Sequence, residues 1–387
     1  MTDFNFSDEQ ALLRDSVRRF VEREYTFEAR RKYDAEGGYN PKAWTLMAEQ
    51  GWLGAGIPEH LGGFGGGPIE SAIVLHELGR GLVFEPYLAV GVLAARALLT
   101  ALGPSAAAER LATLVSGELL VVLAHKEAGQ TGNPDRVRTS AVAMGRCYRI
   151  DGAKLQLLGG VHAQHFLVSA RTDGVESVPS GITLFEVPAD APGLTRKSYR
   201  LIDGTPVADL TFDSVLVDAS ARVGVEGDGL SAISSALDHA TVGLCAQAVG
   251  AMERALEITT EYLRTRRQFG VAIGSFQALQ HQLADMLIEL EQSRTMLYRA
   301  LAHLDDSPDP RHLAVAAAKV QICKSARYVA SKGIQLHGGI GITDECIIGH
   351  YFKFLWVAEK LFGNAAVHLQ TLSRALVPTV SRDNPAS

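Results

Sequence analysis

Residues 264–286 read "RTRRQFGVAIGSFQALQHQLADM". A basic run of Arg264, Arg266 and Arg267 meets Phe269 and Gly270, and a turn then leads into a glutamine-rich segment that also carries His281 and Asp285. An amphipathic helix sorts apolar and polar residues by face, so this mix suits neither a core helix nor a surface helix. From Phe276 onward the sorting returns. Phe276, Leu279, Leu283, Met286 and Leu290 fall on one helical face, with Ser275 as the expected N-cap. Upstream, Val242, Cys245, Val249, Met252 and Leu256 make a face of the same period.

Working outward, a third helical stretch, "RHLAVAAAKVQICKSARYVASKGIQL", ends at "HGGIG", and a fourth is expected from Asp344 to about Leu376. Four long helices with apolar faces predict a bundle over residues 227–387. The last residues, "SRDNPAS", read as a frayed end. The chain before residue 119 is also helical in pattern. Ser7 is an expected N-cap for "DEQALLRDSVRRFVERE", "PKAWTLMAEQGWLG" ends in glycine, Pro68 opens a helix after "GGFGGG", and two more helices fit between Pro86 and Ser116. The glycine-rich turn follows no strand and lacks a GKS or GKT, so it is read as structural. Between residues 119 and 226 the period changes to short β-like runs such as "ELLVVLAHKE", "QHFLVSAR" and "GITLFEVP". The expected fold is mostly α with a central β domain: helices over 1–118, a compact barrel or sandwich over 119–226, and the bundle.

Composition excludes several functions. Of 387 residues, 47% are hydrophobic, enough for a sizeable core. The formal net charge is -6 and no long basic block occurs, which argues against nucleic acid. Cys147, Cys245, Cys323 and Cys346 lie far apart, with neither CxxC nor zinc spacing, as expected for reduced thiols in a cytoplasmic protein. His162 and His165 stand three apart but have no third ligand, so no metal is expected. No apolar run approaches the ~20 residues of a membrane span, and the opening residues are charged rather than signal-like.

Helices, then strands, then a bundle, with "YLRTRRQFGVAIGSFQALQHQLADM" and "IQLHGGIGITDE" inside the bundle, resembles the acyl-CoA dehydrogenase family. These are flavoenzymes that form the α,β double bond of acyl-CoA thioesters. Within the family, "GGFGGGPIE", "GRGLVFEPYLA" and "GHYFKF" are most similar to the small subunits of pimeloyl-CoA dehydrogenase. The resemblance implies FAD as cofactor, an acyl-CoA substrate and electron-transfer flavoprotein as electron acceptor. It also implies a tetramer, built with itself or with a homologous large subunit. The family holds the ADP half of FAD across a subunit interface. That nominates Arg266, Gln268, Phe269, Gln277, Gln335, Gly338 and Gly339, of which Arg266 can fork two hydrogen bonds to a pyrophosphate.

The resemblance also exposes a gap. The reaction needs a base for the α-proton, which the family supplies as a glutamate either near the chain's end or early in the first bundle helix. Here those positions hold Phe362 and Ala240, and neither side chain can accept a proton. Asp238 is read as a helix cap, and His337 and His368 as structural histidines. The tryptophan-x-threonine that packs on the flavin ring is replaced by Gln156 and Leu158, and of the loop before it "HKEAGQTGNPD" keeps Glu127. Three readings follow: a base-lacking subunit of a heteromeric enzyme, a homotetramer with an unrecognised base, or a non-catalytic interaction protein on this fold.

Overall fold

The computed structural model describes residues 6–130, 132–176 and 178–376. Helix α1 (Asp8–Glu24) begins as expected: Ser7 Oγ accepts from Gln10 N at 3.2 Å and Gln10 Oε1 accepts from Ser7 N at 3.0 Å. Helices α2 (Phe27–Ala35), α3 (Pro41–Glu49) and α4 (Pro68–Gly81) follow. A π-helical segment, Leu88–Ala94, then leads directly into α5 (Ala95–Leu102), and α6 (Pro104–Val115) closes the first helical unit.

Strands β1 (Val121–Ala124) to β8 (Arg222–Val223) form a single eight-stranded sheet. The long strands β3 (Cys147–Leu158) and β7 (Pro206–Asp218) pair antiparallel at its centre, whereas β2 (Ser140–Met144) meets β4 (His165–Arg171) through one parallel pair, Ser140 with Arg171. Strand β1 runs parallel to β4. Helices resume with α7 (Gly229–Thr265), α8 (Gln277–Ala302) and α9 (Pro308–His337).

Three expectations are corrected. The fourth bundle helix is two helices, α10 (Ile347–Lys360) and α11 (Ala365–Leu376), because Phe362 and Gly363 adopt φ of 54° and 93° and turn the chain. The N-cap of α8 is Phe276, and Ser275 instead donates to the Ala272 carbonyl at 2.7 Å. Asp238 lies well inside α7 and caps nothing. "SRDNPAS" lies outside the described residues.

The first helical unit is fused to the bundle by α4 and α7, whose backbones touch. A Cβ added at Gly79 would meet the Gln247 carbonyl, and one added at Gly250 would meet the His76 carbonyl, both far inside van der Waals contact. Charges frame this seam. Arg18 grips the fully buried Glu77 through two bonds of 2.9 and 3.0 Å, and Arg80 reaches Glu257 at 2.9 Å and Glu253 at 3.0 Å. His76 and Arg294 also bind Glu253, at 3.1 and 2.7 Å. Burial works against the Glu253 carboxylate, but these partners outweigh it and hold its pKa well below the usual range.

Two consequences are measurable. In a helix with free space, Gly→Ala gains about 1 kcal/mol. At Gly79 and Gly250 the added methyl overpacks two backbones, a cost of about 1–3 kcal/mol or more, so either change should lower stability in urea unfolding, whereas Gly91→Ala, in a helical segment where the added methyl meets only ordinary van der Waals contacts, serves as the control. The second concerns Glu85, which is 4% exposed, is bonded by Tyr25 Oη and accepts from Asn40 N at 3.0 Å. Burial raises its carboxyl from 4.5 to about 7. A raised folded-state pKa means the folded chain holds the extra proton, so this contribution is full below about 4.5 and is lost as pH rises through about 7. Glu85→Gln, uncharged at every pH, should flatten that segment of a plot of Tm against pH.

Candidate active site

A cleft of about 610 Å³ opens between the sheet, α7, α9 and the turn that joins α10 to α11. Lys126 and Gln156 line its sheet side, Asp238 and Thr241 its helix side, and Phe362 and His368 the turn. Each is placed by local chemistry. Behind the sheet side, the buried Lys154 ammonium bonds Glu127 Oε1 at 2.6 Å and Ser169 Oγ at 2.9 Å. Glu127 also accepts from Arg138 N at 2.7 Å and Thr139 N at 3.1 Å. Burial pushes Glu127 up, but Lys154 and the backbone donors win and its pKa falls. Burial draws Lys154 down to about 8 against the pull of Glu127. Glu127 is thus spoken for and is not available as a base.

In front of this pair, Lys126 Nζ donates to Gln156 Oε1, which spans the sheet side of the cleft. Gln156 holds φ of 55°, a left-handed backbone that a non-glycine residue adopts only when its surroundings impose it. On the helix side, Asp238 is fully engaged: Arg311 Nε donates at 2.7 Å and His312 Nδ1 lies 2.9 Å away, while His312 Nε2 faces Ser234 Oγ at 3.2 Å. Sequence reasoning missed this cluster and the Lys126 bridge. Their partners are far apart along the chain, and no spacing rule joins them.

The position nominated for the base is Phe362, which lines the cleft with φ of 54°. Its turn is pinned at both ends. Lys319 Nζ donates to the Ala358 carbonyl at 2.6 Å, and His368 Nε2–H donates to the Phe362 carbonyl at 3.0 Å. Burial lowers His368 to about 4, so it is neutral and serves the turn. The other nominated position, Ala240, is fully buried. The carboxylates that line the cleft, Glu127 and Asp238, are both held by the partners given above.

The residues nominated for the cofactor lie elsewhere. Arg266 ends α7, and a hairpin of Arg267–Gln268 against Val271–Ala272 carries Phe269 and Gly270 at its tip. Phe269 is 91% exposed, and the Arg266 guanidinium has no ion-pair partner among the described residues. Gln335, Gly338 and Gly339 are exposed at the end of α9. Tyr262 ties the two groups together: its ring stacks on His337 at 4.4 Å, and its hydroxyl donates to the His337 carbonyl at 3.3 Å. Gln277 starts α8 beside them. Gly338 has φ of 64°, and a Cβ at Gly338 or Gly339 would meet nothing of this chain. The bare backbone there leaves room for close approach from outside. None of these seven residues lines the cleft.

Comparison with known proteins fits this geometry. Residues 7–118 match the acyl-CoA dehydrogenase N-terminal domain and residues 227–377 the acyl-CoA dehydrogenase C-terminal domain. The chain is 32% identical to the acyl-CoA dehydrogenase FadE27 of Mycobacterium tuberculosis over 97% of its own length and 99% of that protein. It superposes on a chain of the ChsE4-ChsE5 complex from M. tuberculosis with a TM-score of 0.87 and 31% identity, covering 97% of this chain and 100% of that one. Butyryl-CoA dehydrogenase from Megasphaera elsdenii gives a TM-score of 0.89 at 26% identity, with 97% and 100% covered. The order of helical unit, sheet and bundle is therefore that of a known enzyme class, and the chain belongs to the acyl-CoA dehydrogenase family of FAD-dependent oxidoreductases acting on acyl-CoA.

Proposed function

We propose that this chain is the base-lacking subunit of a heteromeric acyl-CoA dehydrogenase of the cytoplasm, with electron-transfer flavoprotein as electron acceptor. It would lend the arm around Arg266 to an FAD whose ring lies in a homologous subunit. The observation that carries this reading is a separation. None of the seven nominated residues lines the cleft, and the cleft itself presents Phe362 at the position where the family supplies its base. FAD, when bound, supplies the hydride acceptor of the reaction. Arg266 would hold its pyrophosphate by charge-assisted bonds, and Gly338 and Gly339 would bring backbone N–H groups against it. This chain's own cleft suits an isoalloxazine poorly, because the Lys126–Gln156 bridge spans the side that the family leaves to a tryptophan and a threonine. A paired relative, the ChsE4-ChsE5 complex, favours the heteromer, as does the likeness to pimeloyl-CoA dehydrogenase small subunits.

Two expected outcomes test the reading. Arg266→Ala in the co-expressed pair should weaken FAD retention by about 1.5–3 kcal/mol, the worth of a hydrogen bond to a charged group, measured by fluorescence of released flavin. The pair should hold about one FAD for every two chains, and Phe362→Glu should leave its turnover unchanged. The chain alone should oxidise acyl-CoA at a rate lower by the ~10²–10⁴ that general-base catalysis supplies. A homogeneous preparation with FAD on every protomer and full acyl-CoA oxidation overturns the proposal.

A further inference from the structure

On another face of α7 from the cleft, a chamber of about 60 Å³ lies between α4, the π-helical segment and α5. Its walls are mostly apolar, but Ser71, Arg96 and His239 reach it. His239 is only 7% exposed. Its Nδ1–H donates to the Ser235 carbonyl at 2.8 Å, and its Nε2 has no partner. Because Nδ1 is turned back onto its own helix and carries the proton that a carbonyl requires, Nε2 is a bare acceptor pointing away from α7. Arg96 has the complementary need. Its Nε donates to Ser235 Oγ at 3.0 Å, yet it forms no ion pair with any described carboxylate. Burial opposes its charge, Asp305 helps from a distance, and Arg311 repels it.

We propose that this chamber binds the carboxyl group of a short-chain carboxylic acid, with Arg96 and His239 as its two partners. The acid enters with its proton. Its carbonyl oxygen accepts from Arg96, and its O–H donates to His239 Nε2, where the proton passes to the ring and leaves a carboxylate between imidazolium and guanidinium. No covalent bond is made or broken. The charged groups facing His239 are Arg96 from α5, Arg311 from α9 and Asp238 on its own helix. The two arginines disfavour an imidazolium, and Asp238 is already taken by Arg311 and His312. The incoming carboxylate is the missing negative charge. Burial otherwise keeps His239 neutral, at about 4. One water needs about 10–15 Å³ by the same measure, so the chamber holds about four to six water-sized groups, a carboxyl with two to four carbons. An alcohol would satisfy His239 and leave Arg96 without its counter-charge. Such acids are what short acyl-CoA thioesters yield on hydrolysis.

Isothermal titration of the protein as it purifies with butyrate, at pH 6 and pH 8 in buffers of different ionisation enthalpy, reads affinity and proton uptake together. One site, uptake of about one proton, and an affinity that falls up to about a hundredfold over those two pH units are expected, the slope of a single linked proton. Arg96→Met and His239→Gln should each abolish the uptake, with folding checked by circular dichroism. If either variant fails to fold, histidine NMR of the unsubstituted chain decides, because one imidazole must become protonated near pH 7 on adding butyrate. No binding at about 10 mM, binding without proton uptake, equal binding of butan-1-ol, or unchanged binding in both variants overturns the proposal.

Discussion

The rest of the structure depends on the contact between α4 and α7, where Gly79 and Gly250 let two helix backbones touch carbonyl to Cα. Close approach of this kind leaves no room for side chains, so the relative position of the two helices is fixed by backbone atoms, which do not change rotamer. The ion pairs of Glu77 and Glu253 then lock rotation about the contact, since each carboxylate is held from more than one element. Isolated surface pairs would add little. Here Glu77 is buried, Glu253 is half-buried, and the pairs form a network, so losing a partner of Glu77 would strand a buried charge.

Because α7 is clamped there, its faces have fixed duties. Asp238 and Thr241 face the large cleft, while His239 and Val242 face the small chamber behind it. The π-helical segment shares this division, with Leu93 turned to the cleft and Gly91 and Val92 to the chamber. A π turn widens the helix and shifts its register, and such turns recur at functional sites. The far end of the same α7 carries the Arg266 arm, so one 37-residue helix connects the cleft to the arm.

Backbone strain marks both ends. Of the five non-glycine residues with positive φ among the described residues, Gln156 and Phe362 line the cleft and Phe269 tips the arm. Conformations of this sort persist where the surroundings over-determine them, and they gather at binding sites. At Phe362 the cause is visible, because Lys319 and His368 hold the turn from either side. That turn retains a geometry able to aim a side chain into the cleft, although the side chain it aims has no proton to exchange.

What the sequence determined by itself was whatever depends on neighbours along the chain. Period 3.6 and short β-like runs placed the helical units and the sheet, Ser7 foretold the N-cap of α1, and "RTRRQFG" with "HGGIG" singled out the arm, because these are local patterns. Local reading also erred locally: it put a cap at Ser275 and ran one helix through Phe362 and Gly363, where phenylalanine gives no warning of a left-handed turn. It passed over α2, whose polar sequence is held by the buried Arg30 bonding the Leu82 and Asp203 carbonyls, residues far away in the chain. Only the tertiary structure decided that Asp238 belongs to Arg311 and His312, that Lys126 bridges to Gln156, and that the arm stands apart from the cleft. Those facts depend on which distant segments meet. Such meetings are fixed by close packing of whole helices and sheets, which no window of sequence contains.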